Sequence, residues 1–167
     1  MTGRVWLRSS RTIGMDEIGP AVRGAIEEHC AGQLMGELHT ATACCATRSV
    51  QVRRPVLNAR MFDVGDGREQ HRVDILLPRY LVVARTEASH RTHVMSARLA
   101  GMTLGPSLTA LHSVITDFGV AVTAQWSAHG TVSSVWIGLG DDADGYAFLT
   151  ALRKAVAAAA RHRTARG

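Results

Sequence analysis

Two adjacent cysteines, Cys44 and Cys45, are the residues best suited to nucleophilic chemistry in this 167-residue chain. A thiolate is the reactive form of cysteine, and a neighbouring base or cation stabilises it. His39 or Arg48 would supply that group if the backbone brings either of them close to a thiol. Free cysteines are also among the most frequently buried residues, so core packing is the simpler interpretation of the pair. A cysteine-dependent enzyme or redox sensor is therefore one hypothesis for this chain.

Arginines supply a second kind of chemistry, the binding of anions. The chain has 19 Lys and Arg residues against 14 Asp and Glu residues, a net charge of +5 at pH 7, and Lys154 is its one lysine. Each guanidinium can bind a phosphate or carboxylate through two parallel hydrogen bonds. The sequence therefore predicts a basic surface for anionic lipid or nucleic acid, if these residues cluster in space. The candidate anion-binding residues are Arg4, Arg8, Arg11, Arg53, Arg54, Arg161, Arg163 and Arg166.

Histidines and glycines give weaker signals. His90 and His93 are three residues apart in a segment with strand character, where such residues point to opposite faces. The stretch from Gly138 to Ala143 fits a G-x-G-x-x-A pattern, but it places two aspartates where a pyrophosphate would approach. It is better explained as a turn and a helix cap. No metal site and no cofactor are predicted.

The elements that must position these residues begin with a helix over 16–38. Apolar residues recur there at every fourth position: Ile18, Val22, Ile26, Cys30, Leu34 and Leu38. Four glycines weaken this helix by roughly 0.5–1 kcal/mol each relative to alanine. A helix of this composition needs a packing partner, which is a sheet of the same chain or a second chain.

Short alternating segments, typical of strands, fill the region 40–140. A final helix is predicted over 142–161, with Asp141 or Asp142 as its cap. Its apolar face comprises Phe148, Leu149, Leu152 and Val156. We therefore predict the α+β class: a single domain over 1–167, with a bent antiparallel β-sheet or partly open barrel, an N-terminal helix and a C-terminal amphipathic helix.

The C-terminal half resembles a bacterial pleckstrin-homology-like (PH-like) domain. The resemblance rests on the order of short strands before one amphipathic helix: YLVVART, HVMSARL, GVAVTAQW, VWIGLG and then DADGYAFLTALRKAV. It implies that the last helix closes one open end of a bent sheet. It also implies a binding module that holds proteins or anionic lipid headgroups and catalyses nothing. Small α+β folds of the roadblock or secretion-chaperone type are the alternatives.

Three cysteines are too few for a disulfide framework in a chain of this size. The chain carries no apolar run long enough to act as a signal peptide or membrane span. These features predict a cytoplasmic protein. The leading functional hypothesis is a non-enzymatic protein-interaction or scaffolding module of a cytoplasmic bacterial protein, which self-associates. The alternatives are the basic surface for anionic lipid or nucleic acid, and the cysteine-dependent enzyme or redox sensor.

Overall fold

A computed structural model describes residues 6–36, 38–51, 69–105 and 117–164. The strands are β1 (Trp6–Thr12), β2 (Ala43–Gln51), β3 (Glu69–Leu76), β4 (Tyr80–Thr86), β5 (Thr92–Arg98), β6 (Thr103–Gly105), β7 (Gly119–Gln125) and β8 (Val132–Gly138). The α-helices are α1 (Pro20–Gly32) and α2 (Ala143–Thr164), and short 3-10 turns lie at Met15–Glu17, Leu38–Thr40 and Leu99–Gly101.

The described strands form two antiparallel sheets. The larger sheet has the order β1-β2-β3-β4-β5, and the smaller has the order β6-β7-β8. The two sheets do not close into a barrel. This architecture, with one helix near each end of a single domain, confirms the predicted α+β class. None of the described helices is long and apolar enough to span a bilayer.

The five-stranded sheet is the middle layer of the molecule. Helix α1 packs on β4 and β5 on one face, where Ile26 and Val82 belong to the same buried cluster. Helix α2 and the smaller sheet cover the other face, where Trp126 and Leu152 are fully buried. Since successive residues of a strand point to opposite faces, a sheet covered on both sides buries consecutive residues. The run 81–84 in β4 is buried at every position.

Helix α1 spans Pro20–Gly32 and not the predicted 16–38. A separate 3-10 turn precedes it at Met15–Glu17, and a Schellman motif ends it after Gly32. The Leu34 amide donates to the Ala31 carbonyl at 3.2 Å, and the Met35 amide donates to the Cys30 carbonyl at 3.1 Å. Leu34 occupies the left-handed position of the motif, with φ of 52°. Glycine usually fills this position because it has no Cβ. The four-residue spacing of apolar residues predicted Leu34 to lie inside the helix, but it lies two residues beyond the last helical residue.

The other predicted elements match more closely. The C-terminal helix covers 143–164 against the predicted 142–161, and its Phe148, Leu149 and Leu152 are buried as expected. The apolar pattern of 99–104 predicts a strand, but the segment forms a 3-10 turn followed by the short strand β6. The spacing in 108–116 suits a helix as well as a strand, and this segment lies outside the described residues.

The turn before α2 covers the free edge of β1. The Ser10 amide donates to Asp142 Oδ2 at 2.7 Å, and the Thr12 amide donates to Asp144 Oδ2 at 3.2 Å. Asp142 also caps α2, since its Oδ1 accepts from the Gly145 amide at 2.8 Å. A Cβ on Gly140 would collide with the Ser10 amide nitrogen, so glycine is required for this close approach. The turn thus joins the last helix to the first strand.

We predict that Asp142→Ala destabilises the protein more than Asp141→Ala. The first change removes both a helix cap and a hydrogen bond to a strand edge, and should lower the free energy of unfolding by about 1–3 kcal/mol. Asp141 is exposed and accepts a hydrogen bond from the Tyr146 hydroxyl at 3.1 Å, so its loss should cost about 0.5 kcal/mol. Urea unfolding followed by circular dichroism measures both. Equal effects of the two substitutions would contradict the double role of Asp142.

Candidate functional site

A cleft of about 590 Å³ opens where the two sheets meet beside β5. We call it the inter-sheet cleft. The end of α1, the ends of β4 and β5, the turn before β6 and the β7–β8 hairpin all line it. Ligand sites in proteins are commonly concave and have volumes of roughly 300–1,000 Å³. The cleft is therefore the leading candidate for a binding site among the described residues.

Two reciprocal hydrogen bonds hold the turn of the β7–β8 hairpin against β5. The Ser127 amide donates to the Ser96 carbonyl at 2.9 Å, and the Ser96 amide donates to Ser127 Oγ at 3.0 Å. On the other side, His29 of α1 and Ser96 are joined by a hydrogen bond of 2.9 Å between Nε2 and Oγ. Burial lowers the pKa of His29, which favours the neutral ring. Ser96 thus connects the helix, the larger sheet and the hairpin.

Two of the residues that line the cleft differ in accessibility: Arg98 is exposed, and Trp126 is buried in the core behind it. The guanidinium of Arg98 lies over the Tyr80 ring, 5.6 Å from its centroid, and forms no ion pair with a described residue. Trp126 is fully buried, and its indole Nε1 has no acceptor in the described part of the chain. Buried N–H groups are nearly always paired in folded proteins, so a donor without a partner calls for an explanation.

Two large apolar side chains are exposed at the rim of the cleft. Val132 lines it and is 69% exposed, and Leu34 is 88% exposed and lies between two residues that line it, Gln33 and Met35. We call Leu34 and Val132 the apolar rim. A left-handed leucine costs roughly 1–2 kcal/mol relative to its favoured conformations. Leu34 therefore combines a backbone cost with exposure of a large apolar side chain.

A second concentration of polar groups lies largely buried where β1, β2 and β3 face the smaller sheet and the turn before α2. We call it the polar junction, and its members are Arg8, Ser10, Thr47, Arg72, Asp74, Asp117 and Asp142. Arg8 pairs with Asp117 at 2.8 Å, and Arg72 pairs with Asp74 at 2.9 Å. Arg72 also donates to the Gly138 carbonyl of β8. Burial raises the pKa of Asp74, and Arg72 opposes that shift.

The polar junction corrects the sequence interpretation of Arg8. Its side chain is 11% exposed and pairs with Asp117, so the guanidinium serves the interior and not an anion-binding surface. Burial lowers the pKa of Arg8, while the charge of Asp117 raises it. Gly138 permits this burial, because a Cβ there would collide with the guanidinium.

The other candidate anion-binding residues are scattered or undescribed. Arg11 is exposed and pairs with Glu17 at 3.2 Å. Arg161 is exposed on the last turns of α2. Four of the candidates lie outside the described residues: Arg4, Arg53, Arg54 and Arg166. Arg163 lies in the last turn of α2, and its side chain is not among those described. The basic cluster of the remaining arginines therefore stays a prediction.

Cys44 and Cys45 point to opposite faces of β2, and each is buried in a different core. Burial is the main cause of a rise in the pKa of Cys44 to about 12, and Asp74 adds to it. Burial also raises the pKa of Cys45. The Arg48 guanidinium binds Glu69 at 2.6 and 3.0 Å and is not held beside either thiol. These surroundings oppose thiolate formation at both cysteines.

The histidines do not gather into a metal site in the described part of the chain. His71 bonds to Glu69 at 2.9 Å, and His93 lies 3.8 Å from Glu87. Among the described residues, no three His, Cys, Asp or Glu side chains are grouped so that they could hold a metal ion.

Sequence reasoning missed the residues that form the cleft. Arg98 and Trp126 each lie at the end of a predicted strand, and nothing in the local pattern indicates that those two ends meet. Leu34 could have been identified from its place two residues after Gly32, where a helix with many glycines tends to stop. Comparisons of the chain with family models, curated proteins and solved structures find no match.

We predict slow alkylation of Cys44 in the native protein. A rise in thiol pKa from 9.0 to about 12 lowers the thiolate fraction near neutral pH by about a thousandfold. Labelling with iodoacetamide, followed by mass spectrometry of the peptide, should be slower by about a hundredfold or more in the native protein than in protein unfolded in urea, since the greater nucleophilicity of a high-pKa thiolate offsets part of the loss. Native labelling as fast as in urea would contradict this and would favour the cysteine-dependent hypothesis.

Proposed function

We propose that this protein is a non-enzymatic protein-interaction module whose contact surface is the apolar rim of the inter-sheet cleft. The observation that carries the proposal is Leu34, which is 88% exposed in the left-handed conformation that glycine usually occupies. Strained residues persist where the surrounding structure holds them, and they concentrate at functional sites. Val132, 69% exposed, supplies the second apolar contact at the same cleft.

A second copy of this chain is the partner we propose first. The rim residues Leu34 and Val132 are apolar, so contact between two rims would bury apolar surface, while Arg98 of the same cleft would stay at the margin in water. Symmetric dimers use the same patch on both subunits, which suits a small surface that is complementary to itself. Burial of exposed leucine and valine side chains would provide the driving force, at about 25 cal/mol per Å² of apolar area. The PH-like resemblance implies a binding module and points in the same direction.

The sharpest test is Leu34→Gly, because we expect it to stabilise the fold and to weaken self-association. Glycine removes the cost of the left-handed conformation, so the free energy of unfolding should rise by about 0.5–1 kcal/mol. It also removes the apolar side chain, so self-association should weaken by about tenfold or more, since deletion of one buried leucine costs at least that much. Analytical ultracentrifugation over a concentration series and urea unfolding measure the two quantities on the same sample.

Two further variants complete the test: one probes the rim a second time, and the other is a control. Val132→Thr keeps a β-branched residue of similar shape and should weaken association at the rim. Leu7→Thr replaces an exposed leucine, 57% accessible, on β1 at the opposite edge of the larger sheet, and should leave association unchanged. Because the contact is apolar, association should persist at high salt. A protein that stays monomeric at every concentration, or that associates equally well with Leu34→Gly, would overturn the proposal.

A further inference from the structure

We propose that the outer edge of β8 pairs with β8 of a second copy of this chain, and that this strand pairing forms the dimer. The inference rests on the proposed self-association and names the strand that carries it. Strand β8 lies at one end of the smaller sheet, and β7 is the one described element with which it packs extensively. It begins at Val132, which belongs to the apolar rim, so this edge continues directly from the rim.

The hydrogen-bond pattern identifies the backbone groups of β8 that point away from β7. The Leu139 amide donates to the Phe118 carbonyl at 2.9 Å, which fixes the alternation along the ladder. The amides and carbonyls of Val132 and Ser134 therefore point outward, as does the Gly138 carbonyl, which accepts a side-chain donor from β3. Val132 and Ser134 are both exposed, and these outward groups have no partner among the described residues.

Strand β8 lacks the features that usually protect a sheet edge from other chains. It has no charged residue and no proline, and its register with β7 is continuous, without a bulge. The edge of β1, in contrast, is covered by Asp142 and Asp144. The edge of β5 carries the exposed Arg98 and is occupied in part by the turn at Ser127. Among the described edges, β8 is therefore the one best suited to accept another strand.

A second β8 matches this edge in charge, in hydrogen bonds and in side chains. In an antiparallel arrangement centred on Ser133, Val132 faces Ser134 of the partner subunit, and the two-fold axis generates the same pair again. Each pair exchanges two N–H···O=C bonds, and no charge on either strand opposes the contact. The exposed Val132 side chain shares a face with Trp136 of the partner subunit, at a diagonal position that an aromatic side chain can reach. Because each chain has one β8, the assembly closes at a dimer.

The amides of this edge report the pairing directly. We expect hydrogen exchange at Val132 and Ser134, followed by NMR, to slow at least about fivefold as the protein is concentrated from monomer to dimer. The Val94 amide is the control, because the register of β5 also points it outward and the proposed pairing leaves it uncovered. Sedimentation velocity on the same samples gives the fraction of chains in the dimer.

Ser134→Lys should weaken dimerisation by about tenfold or more, because it places two positive charges close to the two-fold axis. Thr103→Lys is the matched control, since Thr103 is also exposed and lies on β6 at the other edge of the same sheet, and it should leave dimerisation unchanged. Ser134→Pro removes an outward donor without removing a bond to β7, and should weaken dimerisation by a similar factor. The unfolding midpoint of each variant verifies that the protein is folded.

The strand pairing is overturned if dimers form without protection of Val132 and Ser134, if Ser134→Lys dimerises as well as the native chain, or if the protein grows into species larger than a dimer. The first two results leave self-association through the rim intact, provided that Leu34→Gly still weakens the dimer. A dimer weakened by Ser134→Lys and not by Leu34→Gly supports the strand pairing and overturns the rim contact alone. A protein that stays monomeric at every concentration overturns both proposals.

Discussion

The structure depends on the buried polar junction between the two sheets. Arg8 with Asp117 and Arg72 with Asp74 place four charges in a largely water-free space. Transfer of an ion out of water costs several kcal/mol, and loss of one partner from a buried pair is strongly destabilising. These charges therefore tolerate few relative positions of the sheets. The bond from Arg72 to the Gly138 carbonyl extends this constraint to β8.

The turn before α2 also covers the open edge of the larger sheet. Strand β1 lies at the end of the larger sheet, and its outward amides at Ser10 and Thr12 would otherwise offer a template for another chain. Asp142 and Asp144 accept hydrogen bonds from those amides. An acidic turn at the start of a helix is favourable for the helix dipole as well, so one short segment meets two requirements. Interactions between chains at this edge are thereby disfavoured.

The opposite edge is built differently. At β5 the smaller sheet is held by the pair of bonds between Ser96 and Ser127, and beyond them the layers separate into the inter-sheet cleft. Exposed apolar side chains, and an arginine with no carboxylate partner among the described residues, both occur at this edge. One edge of the larger sheet is thus covered by residues of the same chain, while apolar side chains stay exposed near the other.

Much of the fold was predictable from the sequence, because strand alternation, helix periodicity and cap residues act over a few neighbouring positions. The α+β class, an aspartate cap at residue 141 or 142, and the buried face of α2 at Phe148 and Leu152 follow from such patterns. Tertiary structure alone decided the rest. Cys44 and Cys45 are both buried because layers cover both faces of β2, Arg8 is internal because Asp117 meets it there, and Arg98 enters a cleft because β5 ends beside the hairpin. Each of these outcomes depends on residues far apart in the chain, whose encounter no local pattern encodes.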